Sequence, residues 1–397
     1  MAKLGNLKIN ADDVGNTNAV KQADAVHNAD LKVDDYGGER KVEQNVDIKK
    51  CPGCGAALRF DPAAQALYCE HCGTSVGIVN EGIVYEQILD FNIDNLPVWA
   101  GETRVFRCAN CGGESVFERN EFSKICPFCG SPSVTTLEDM AGVRPNAVIP
   151  FAFDSARAEQ LYHEWAKKRF FAPGAFRKHH PLDDFRSYYS PAWTFDSKTF
   201  SSYRGIVGDY YTVTVGSGNN RHTERRIRYR PVSGVHDCFF DDLIINSSGQ
   251  LEGKIFSKIL PFVTAKAVPY ASEYLAGYVA ERYKVGLNDG WELARKQMDD
   301  TVRRQIVSSL HCDVVQTLTI NTAYNDKTFK YLLLPLYLVR HKFKEKLYKV
   351  YINAQTSKIA GQYPKSVGKI LGLIFGIIGA AAVIGLIIYL LNSNGII

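Results

Sequence analysis

The chain carries none of the motifs that announce common nucleotide or acyl chemistry. No GxxxxGKS/T phosphate loop occurs: Gly368-Lys369 is followed by Ile370 and runs straight into an apolar stretch. A GxSxG elbow, an HExxH helix and a dinucleotide-binding glycine pattern are also missing, so no catalytic constellation is read and the expectation is a protein that is not an enzyme. The N-terminus (MAKLGNLKINADDVGN) lacks an apolar core, which argues against a secretory leader. Net charge is small, +5, and decides nothing until its distribution is considered. With 46% apolar and 22% charged residues the 397-residue chain is of ordinary globular composition, long enough for two or three domains.

Cysteine is what the chain does have. Eight of its ten cysteines form four CxxC pairs: Cys51/Cys54, Cys69/Cys72, Cys108/Cys111 and Cys126/Cys129. Without a leader, a disulfide framework is not expected, and thiols at this spacing in a reducing compartment indicate metal. Fourteen residues separate Cys54 from Cys69, and fourteen separate Cys111 from Cys126. Each cysteine of the first set recurs 57 positions later, an internal duplication. Two residues between cysteines let a tight turn aim both sulfurs at one ion, and two such turns complete a tetrahedral site. The glycine after each pair (Gly55, Gly73, Gly112, Gly130) can take positive φ and turn backbone N–H groups toward the sulfurs. Hairpins are expected between the turns, Ala57–Phe60 with Leu67–Tyr68 and Ser115–Glu118 with Phe122–Ile125. Four protein ligands leave no open position, so two structural Zn2+ ions are expected, with rubredoxin-type iron as the alternative metal. His71 lies inside a turn but is surplus to four thiols. Cys238 and Cys312 are expected to be buried thiols.

Residues 370–391 contain no charge and no polar group beyond the Tyr389 hydroxyl. As a helix they span about 33 Å, against about 30 Å of bilayer hydrocarbon. Between Arg340 and Lys369 there are eight Lys or Arg and one acid, Glu345, which places that side in the cytosol. The expectation is a tail-anchored, single-pass protein of the cell membrane, its N-terminus and soluble domains cytoplasmic and its C-terminus outside. The basic flank (Lys342, Lys344, Lys346, Lys349, Lys365, Lys369) would meet anionic membrane lipids at about 1 kcal/mol per residue reaching the surface. Gly372, Gly376 and Ala380 recur every fourth residue, a small-residue stripe suited to packing another helix, a partner's or a second copy's.

The predicted fold class is α+β: two tandem four-Cys zinc ribbons, a β-rich α+β body and one C-terminal transmembrane helix. Its boundaries are a mobile polar tail at 1–47, the first ribbon at 48–78, a linker at 79–104, the second ribbon at 105–136, the body at 145–365 and the span at 370–391. Within the body, Asp154 or Ser155 caps a helix to about Arg169, with Ala158, Leu161, Tyr162, Trp165 and Ala166 on one face. Further helices are predicted within Tyr270–Tyr283 and from Asn288 or Asp289 toward His311. Asp209–Val215 and Arg225–Val232 read as hairpin arms, and Tyr331–Val339, Lys346–Asn353 and Lys358–Gln362 as neighbouring strands. Tyr-Ser-Pro-Ala-Trp-Thr-Phe (189–195) matches Leu-Leu-Pro-Leu-Tyr-Leu-Val (333–339) in placing Pro two residues before an aromatic, which suggests a duplicated helix-plus-strands unit. Arg221, Arg225, Arg226, Arg228 and Arg230 lie within ten residues. On a strand Arg226, Arg228 and Arg230 share a face that could contact phosphates of nucleic acid or lipid. The plainer reading is a solvated arm whose arginines protect its edge, paired with Glu224 and Asp241/Asp242. His179-His180 with Asp183-Asp184 is read as loop surface.

Several stretches resemble a bacterial family of membrane-anchored proteins with TFIIB-type zinc ribbons, sometimes labelled primosomal protein N′-like. They are PFAFDSARAEQLYHEWAKKRFFAP (150–173), YYSPAWTFDSKTFSSYRG (188–205), RYRPVSGVHDCFFDDLIINSS (228–248), YLAGYVAERYKVGL (274–287) and TFKYLLLPLYLVRHKFKEKLYKVYINAQTSKIAG (328–361). The resemblance implies the same architecture of ribbons, β-rich body and membrane tail. The helicase suggested by that label is opposed by the missing nucleotide-binding loop.

The functional expectation is a non-enzymatic adaptor or scaffold at the inner leaflet, recruiting or organising protein partners, with membrane stress as a setting. The alternative is a membrane-tethered nucleic-acid-binding protein. Against the alternative, Arg59 is alone between the first ribbon's pairs, while Arg119 and Lys124 face Glu114, Glu118 and Glu121 in the second.

Overall fold

The computed structural model describes residues 50–79, 82–90, 103–118, 126–131, 134–137, 143–177, 184–343 and 346–393. The expected tail, much of the linker, the hairpin arm Phe122–Ile125, the pair His179/His180 with Asp183, and Lys344 lie outside the described residues. The architecture is mixed α+β and rich in sheet.

The first ribbon is a three-stranded antiparallel sheet of β1 (Arg59–Asp61), β2 (Ala66–Tyr68) and β3 (Ser75–Gly77). Its β1–β2 turn is tied to the body by Gln65, whose amide donates to the Pro62 and Phe151 carbonyls at 2.6 and 2.8 Å. Phe60 turns inward and meets Tyr274 edge-on at 5.3 Å. β4 (Gln87–Ile88) then joins the body sheet. The second ribbon contributes β5 (Thr103–Cys108), β6 (Glu114–Glu118) and β7 (Val134–Leu137), ordered β6-β5-β7. The expected first arm of its hairpin, Ser115–Glu118, pairs with Thr103–Phe106.

The body begins with β8 (Ala147–Val148), α1 (Ser155–Lys167) and α2 (Gly174–Arg177). Asp154 caps α1 as predicted, its carboxylate accepting from the Arg157 N–H at 2.9 Å. Next come β9 (Asp184–Val215), β10 (His222–Asn246), α3 (Gly253–Ile259), β11 (Val268–Pro269) and β12 (Val279–Glu281). α4 (Leu287–Ser309), β13 (Val314–Phe343), β14 (Lys346–Asn353), β15 (Ile359–Gly361) and α5 (Val367–Ser393) complete the chain.

β9 and β13 pair antiparallel along nearly their whole length, and β9 alone has 32 residues, about 100 Å at about 3.3 Å each. Their inner halves are buried on both faces. On one face Tyr189, Trp193, Tyr331, Leu333 and Tyr337 pack with α1, α4 and the first ribbon. On the other, Tyr188, Ala192, Leu332, Leu334 and Leu336 pack with α3 and the second ribbon. This alternation with period two sorts one strand into two cores. The outer halves, with β10, extend as an arm whose turn uses Gly216 and Gly218 at φ +95° and +60°. The predicted hairpin Asp209–Val215/Arg225–Val232 is only the distal end of this arm.

The sequence of short strand, helix and long strand occurs twice, as β8–α1–β9 and β12–α4–β13. Each short strand pairs in parallel with the other set's long strand, β8 with β13 and β12 with β9. Pro191 and Pro335 occupy matching places, their carbonyls accepting from the N–H of Ser247 and Ala354 at 3.2 and 3.0 Å. Both acceptors sit opposite chain ends that leave the sheet after an asparagine, Asn246 or Asn353.

One predicted helix is overturned. Tyr270–Tyr283 holds a single 3-10 turn, Ser272–Leu275, followed by the strand β12. Gly277 takes φ +82° with the Arg59 side chain 3.0 Å from where a Cβ would sit, which breaks the helix. Residues 279–281 instead bridge β9 and β6.

Glu281, in that bridge, is fully buried. It accepts from Ser248 Oγ (2.6 Å) and from the N–H groups of Gly249 (2.8 Å) and Gln250 (3.1 Å). Burial outweighs these donors and pushes its pKa from the ordinary 4.5 up to about 7. A carboxyl group raised on folding favours the native state while protonated, so its contribution is intact below 4.5 and is lost as pH climbs through 7. Glu281→Gln, which keeps the size and acceptor, should therefore match the wild type near pH 4 and exceed it by up to about 3 kcal/mol near pH 8. Denaturant titration of the detergent-solubilised proteins at both pH values reads this, and parallel pH dependences would refute it.

Candidate metal centres and the arginine arm

All four CxxC turns fold alike. In each, the glycine N–H donates to the carbonyl of the first cysteine: Gly55 to Cys51 (2.8 Å), Gly73 to Cys69, Gly112 to Cys108 and Gly130 to Cys126 (each 2.9 Å). All four glycines have positive φ, between +66° and +77°. This αL step aims the next N–H, that of Ala56, Thr74, Gly113 or Ser131, at the second sulfur of each pair. The expectation that glycine would turn N–H groups toward sulfur thus holds for the residue after it.

The turns converge in pairs. Cys51, Cys54, Cys69 and Cys72 bring their sulfurs within 4.8 Å of one another, as do Cys108, Cys111, Cys126 and Cys129. Opposed sulfurs lie 3.4 and 3.5 Å apart in the first set and 3.6 and 3.7 Å apart in the second. A tetrahedral ion with metal–sulfur bonds of about 2.3 Å requires edges of about 3.8 Å. The donor set therefore fits a closed four-thiolate site for a structural ion such as zinc. Electrostatics agree: the Thr74 hydroxyl draws Cys72 down to about 6. Against the Ala56 N–H, which lowers it, the crowding thiols of Cys72, Cys69 and Cys51 push Cys54 up to about 12. Four thiols this close cannot all ionise without a cation between them.

The two centres differ in setting. Cys54 and Cys72 are exposed, whereas Cys111 and Cys129 are half-buried. Phe128, inside the last turn, is wholly buried against Tyr188 at 5.6 Å. β6 is also hydrogen-bonded to β12, and Glu114 holds Arg282 in a largely buried ion pair at 3.1 Å. The guanidinium of Arg340, only 3% exposed, lies 3.1 Å from where a Gly130 Cβ would sit and pairs with Asp184. Burial lowers its pKa, while the sulfurs of Cys129, Cys126 and Cys111 work to keep it charged. Two minus charges on a metal–tetrathiolate would complement this buried cation. The sequence counts Arg340 among the cations flanking the span and does not reveal this contact, because it sits more than 200 residues from the knuckle it touches.

The arginine arm has its own partners. Arg226, Arg228 and Arg230 share a face of β10, as predicted from alternation. Arg226 bonds Glu224 at 3.0 Å, and Arg230 bonds Asp209 and the Leu310 carbonyl at 3.2 and 2.8 Å. Arg225 stacks on Tyr210 at 3.4 Å and Arg228 on Tyr211 at 5.1 Å. Arg221 is exposed at the turn. Asp241/Asp242 do not join them. A β-bulge between Phe240 and Leu243 sets Asp242 against Lys330, which pairs with it and with Glu86 at 2.5 and 3.0 Å, while the Asp241 carboxylate lies within 4.8 Å of those of Glu86 and Asp196. Asp196 completes the cluster, and burial pushes its carboxyl up to about 6. The bulge, invisible to alternation counts, is why this cluster was not read from the sequence.

Cys238 and Cys312 are half-buried, not buried: one lies on β10 opposite Thr199, the other in the turn after α4. Of the basic flank, Lys342, Lys346 and Lys365 are exposed and Lys349 half-buried. Lys369 donates to the Phe170 and Ala172 carbonyls at 3.0 and 2.8 Å. The stretch Val367–Ile388 of α5 is long and apolar enough to cross a membrane, and none of its most apolar window is buried among the described residues. Gly372, Gly376 and Ala380 lie along it.

The chain is 25% identical over 349 residues to a Bacillus subtilis (strain 168) protein described as "Uncharacterized protein YdjG", covering 87% of this chain and 98% of that one. No family model matches the chain, and no solved structure matches it.

Elemental analysis of the purified protein should find two zinc ions per chain, and one in Cys108→Ser/Cys111→Ser. An iron signature in the spectrum would replace zinc by the alternative ion. Arg340→Met should weaken retention at the second centre alone, by about 10- to 100-fold in chelator competition, as loss of a supporting group does at metal sites. An unchanged titration would remove Arg340 from that role.

Proposed function

We propose that this protein is a non-enzymatic zinc-binding adaptor of the cytoplasmic membrane. Two structural zinc ions rigidify its ribbons, α5 anchors it, and ribbons and body recruit or organise protein partners at the inner leaflet, in a membrane-stress setting. The observation that carries this reading is the pairing of two closed four-thiol sites with an apolar helix whose spanning window is unburied among the described residues. A site with four protein ligands has no position for substrate, so its ion holds shape and does not activate water. The basic flank supports an orientation with ribbons and body in the cytosol.

A tethered nucleic-acid-binding protein is the second reading, favoured by the Arg225–Tyr210 and Arg228–Tyr211 stacks on a projecting β-ribbon. It is weakened by Glu224 and Asp209, which neutralise Arg226 and Arg230 on the same face.

A crosslinked pull-down from detergent-solubilised membranes, with and without nuclease, separates the two. The adaptor reading expects the same proteins with or without nuclease and their loss in Cys108→Ser/Cys111→Ser. Recovery that disappears with nuclease would transfer the assignment to nucleic acid, with the arginine arm as its surface.

A further inference from the structure

The loop between α1 and α2 is held against the first turn of α5 by three backbone contacts. Lys369 Nζ donates to the carbonyls of Phe170 and Ala172 at 3.0 and 2.8 Å. The Ser366 N–H donates to the Phe171 carbonyl at 2.7 Å. From the other side, Arg169 stacks over Trp165 at 4.5 Å and Tyr363 at 5.8 Å, and Arg177 Nε bonds the Lys167 carbonyl at 3.1 Å. Ala172 is buried and Phe171 half-buried. Phe170 alone turns outward, 62% exposed, with the Lys369 ammonium 5.8 Å from its ring centre. Lys167 and Lys168 beside it are exposed.

We infer that this loop is a second membrane contact, in which Phe170 enters the headgroup region of the leaflet from which α5 departs. The inference rests on reading α5 as a membrane span. Depth decides the matter. Lys369 lies in the first turn of α5, and a lysine stem reaches roughly 6 Å, so the loop carbonyls lie within that distance of the start of the apolar stretch. The interfacial layer on each side of a bilayer is about 5–8 Å deep, so a side chain projecting from that loop is inside it. An aromatic ring flanked by lysines suits this layer: the ring leaves water while Lys167 and Lys168 meet anionic headgroups. The partner is thus the lipid surface. Because three hydrogen bonds already order the loop, insertion costs little further entropy.

The test uses the full chain in cell membranes, with the photo-crosslinker p-benzoylphenylalanine replacing Phe170, Leu386 or Phe239 one at a time. Leu386 lies in the apolar stretch of α5 and Phe239 is an exposed aromatic of β10. Mass spectrometry should find phospholipid adducts at 170 and 386 in comparable yield, and none at 239. Lipid adducts at 386 with none at 170, or with protein adducts there, would overturn the loop contact and leave the anchor standing. No lipid adduct at 386 would sink the anchor and the loop contact together.

Discussion

The antiparallel pairing of the inner halves of β9 and β13 is the constraint on which the other elements depend. Tyr188–Phe195 and Phe329–Leu336 are buried almost without interruption, so this strand pair has no solvent face. One side supports α1, α4 and the first ribbon, and the other supports α3 and the second ribbon. Register in most sheets is fixed because a one-residue slip would put apolar side chains in water. Here both faces are dry, and shape must fix it. Trp193 donates to the Val285 carbonyl at 2.9 Å, and Gly290 lets α4 approach, with Trp193 2.9 Å from where its Cβ would be. A slip would leave a buried indole N–H unpaired and drive a side chain into the helix. Pro191 and Pro335 lie within this segment without a donor N–H of their own, while their carbonyls accept from Ser247 and Ala354.

Two near-identical metal knuckle pairs are attached to this frame in different ways. The first ribbon closes its own three-stranded sheet and docks through Phe60 and Gln65. The second has its strands hydrogen-bonded into the body sheet through β6 and β12, with Phe128 and Arg340 beneath its last knuckle. Identical spacing therefore does not mean identical consequence. With an ion in the first, its loss would loosen a docked module. With an ion in the second, its loss would leave Arg340 with Asp184 alone as counter-charge and would disturb a knuckle joined to the main sheet through β6 and β12.

Local chemistry was legible in the sequence, and long-range geometry was not. The knuckles follow from residue type and spacing. So does α1, with Asp154 as its cap, and the helix expected from Asn288 or Asp289 toward His311 is α4. The strands Tyr331–Val339 and Lys346–Asn353 were read as neighbours and pair as such. The full extent of β9 was not visible, because its doubly buried inner half shows no polar alternation and its outer half does. The false helix at 270–283 gives way at Gly277, whose φ is +82°, and residues 279–281 pair with β9 and β6 instead. The partners of Lys330 and Arg340 are set by a bulge and by a contact between distant segments, neither of which leaves a periodic trace.

Charge next to an apolar helix need not act on lipid. Only five residues separate β15 from α5, and Tyr363, within them, packs edge-on against Trp165 at 6.0 Å. Ser366 and Lys369 then bond the α1–α2 loop. Lys369, nearest to the apolar stretch, thus spends its donors on carbonyls, a use that the positive-inside pattern does not distinguish from headgroup contact. The physical result is a stiff junction. If α5 crosses the bilayer, its first turn sets the height and tilt of the whole body. An adaptor built this way would present its ribbons at a defined distance from the leaflet, where a flexible tether would sample a range of them. Rigidity of that kind would lower the entropy lost on gripping a partner, so in the proposed adaptor the junction would bear on recruitment as directly as the ribbons.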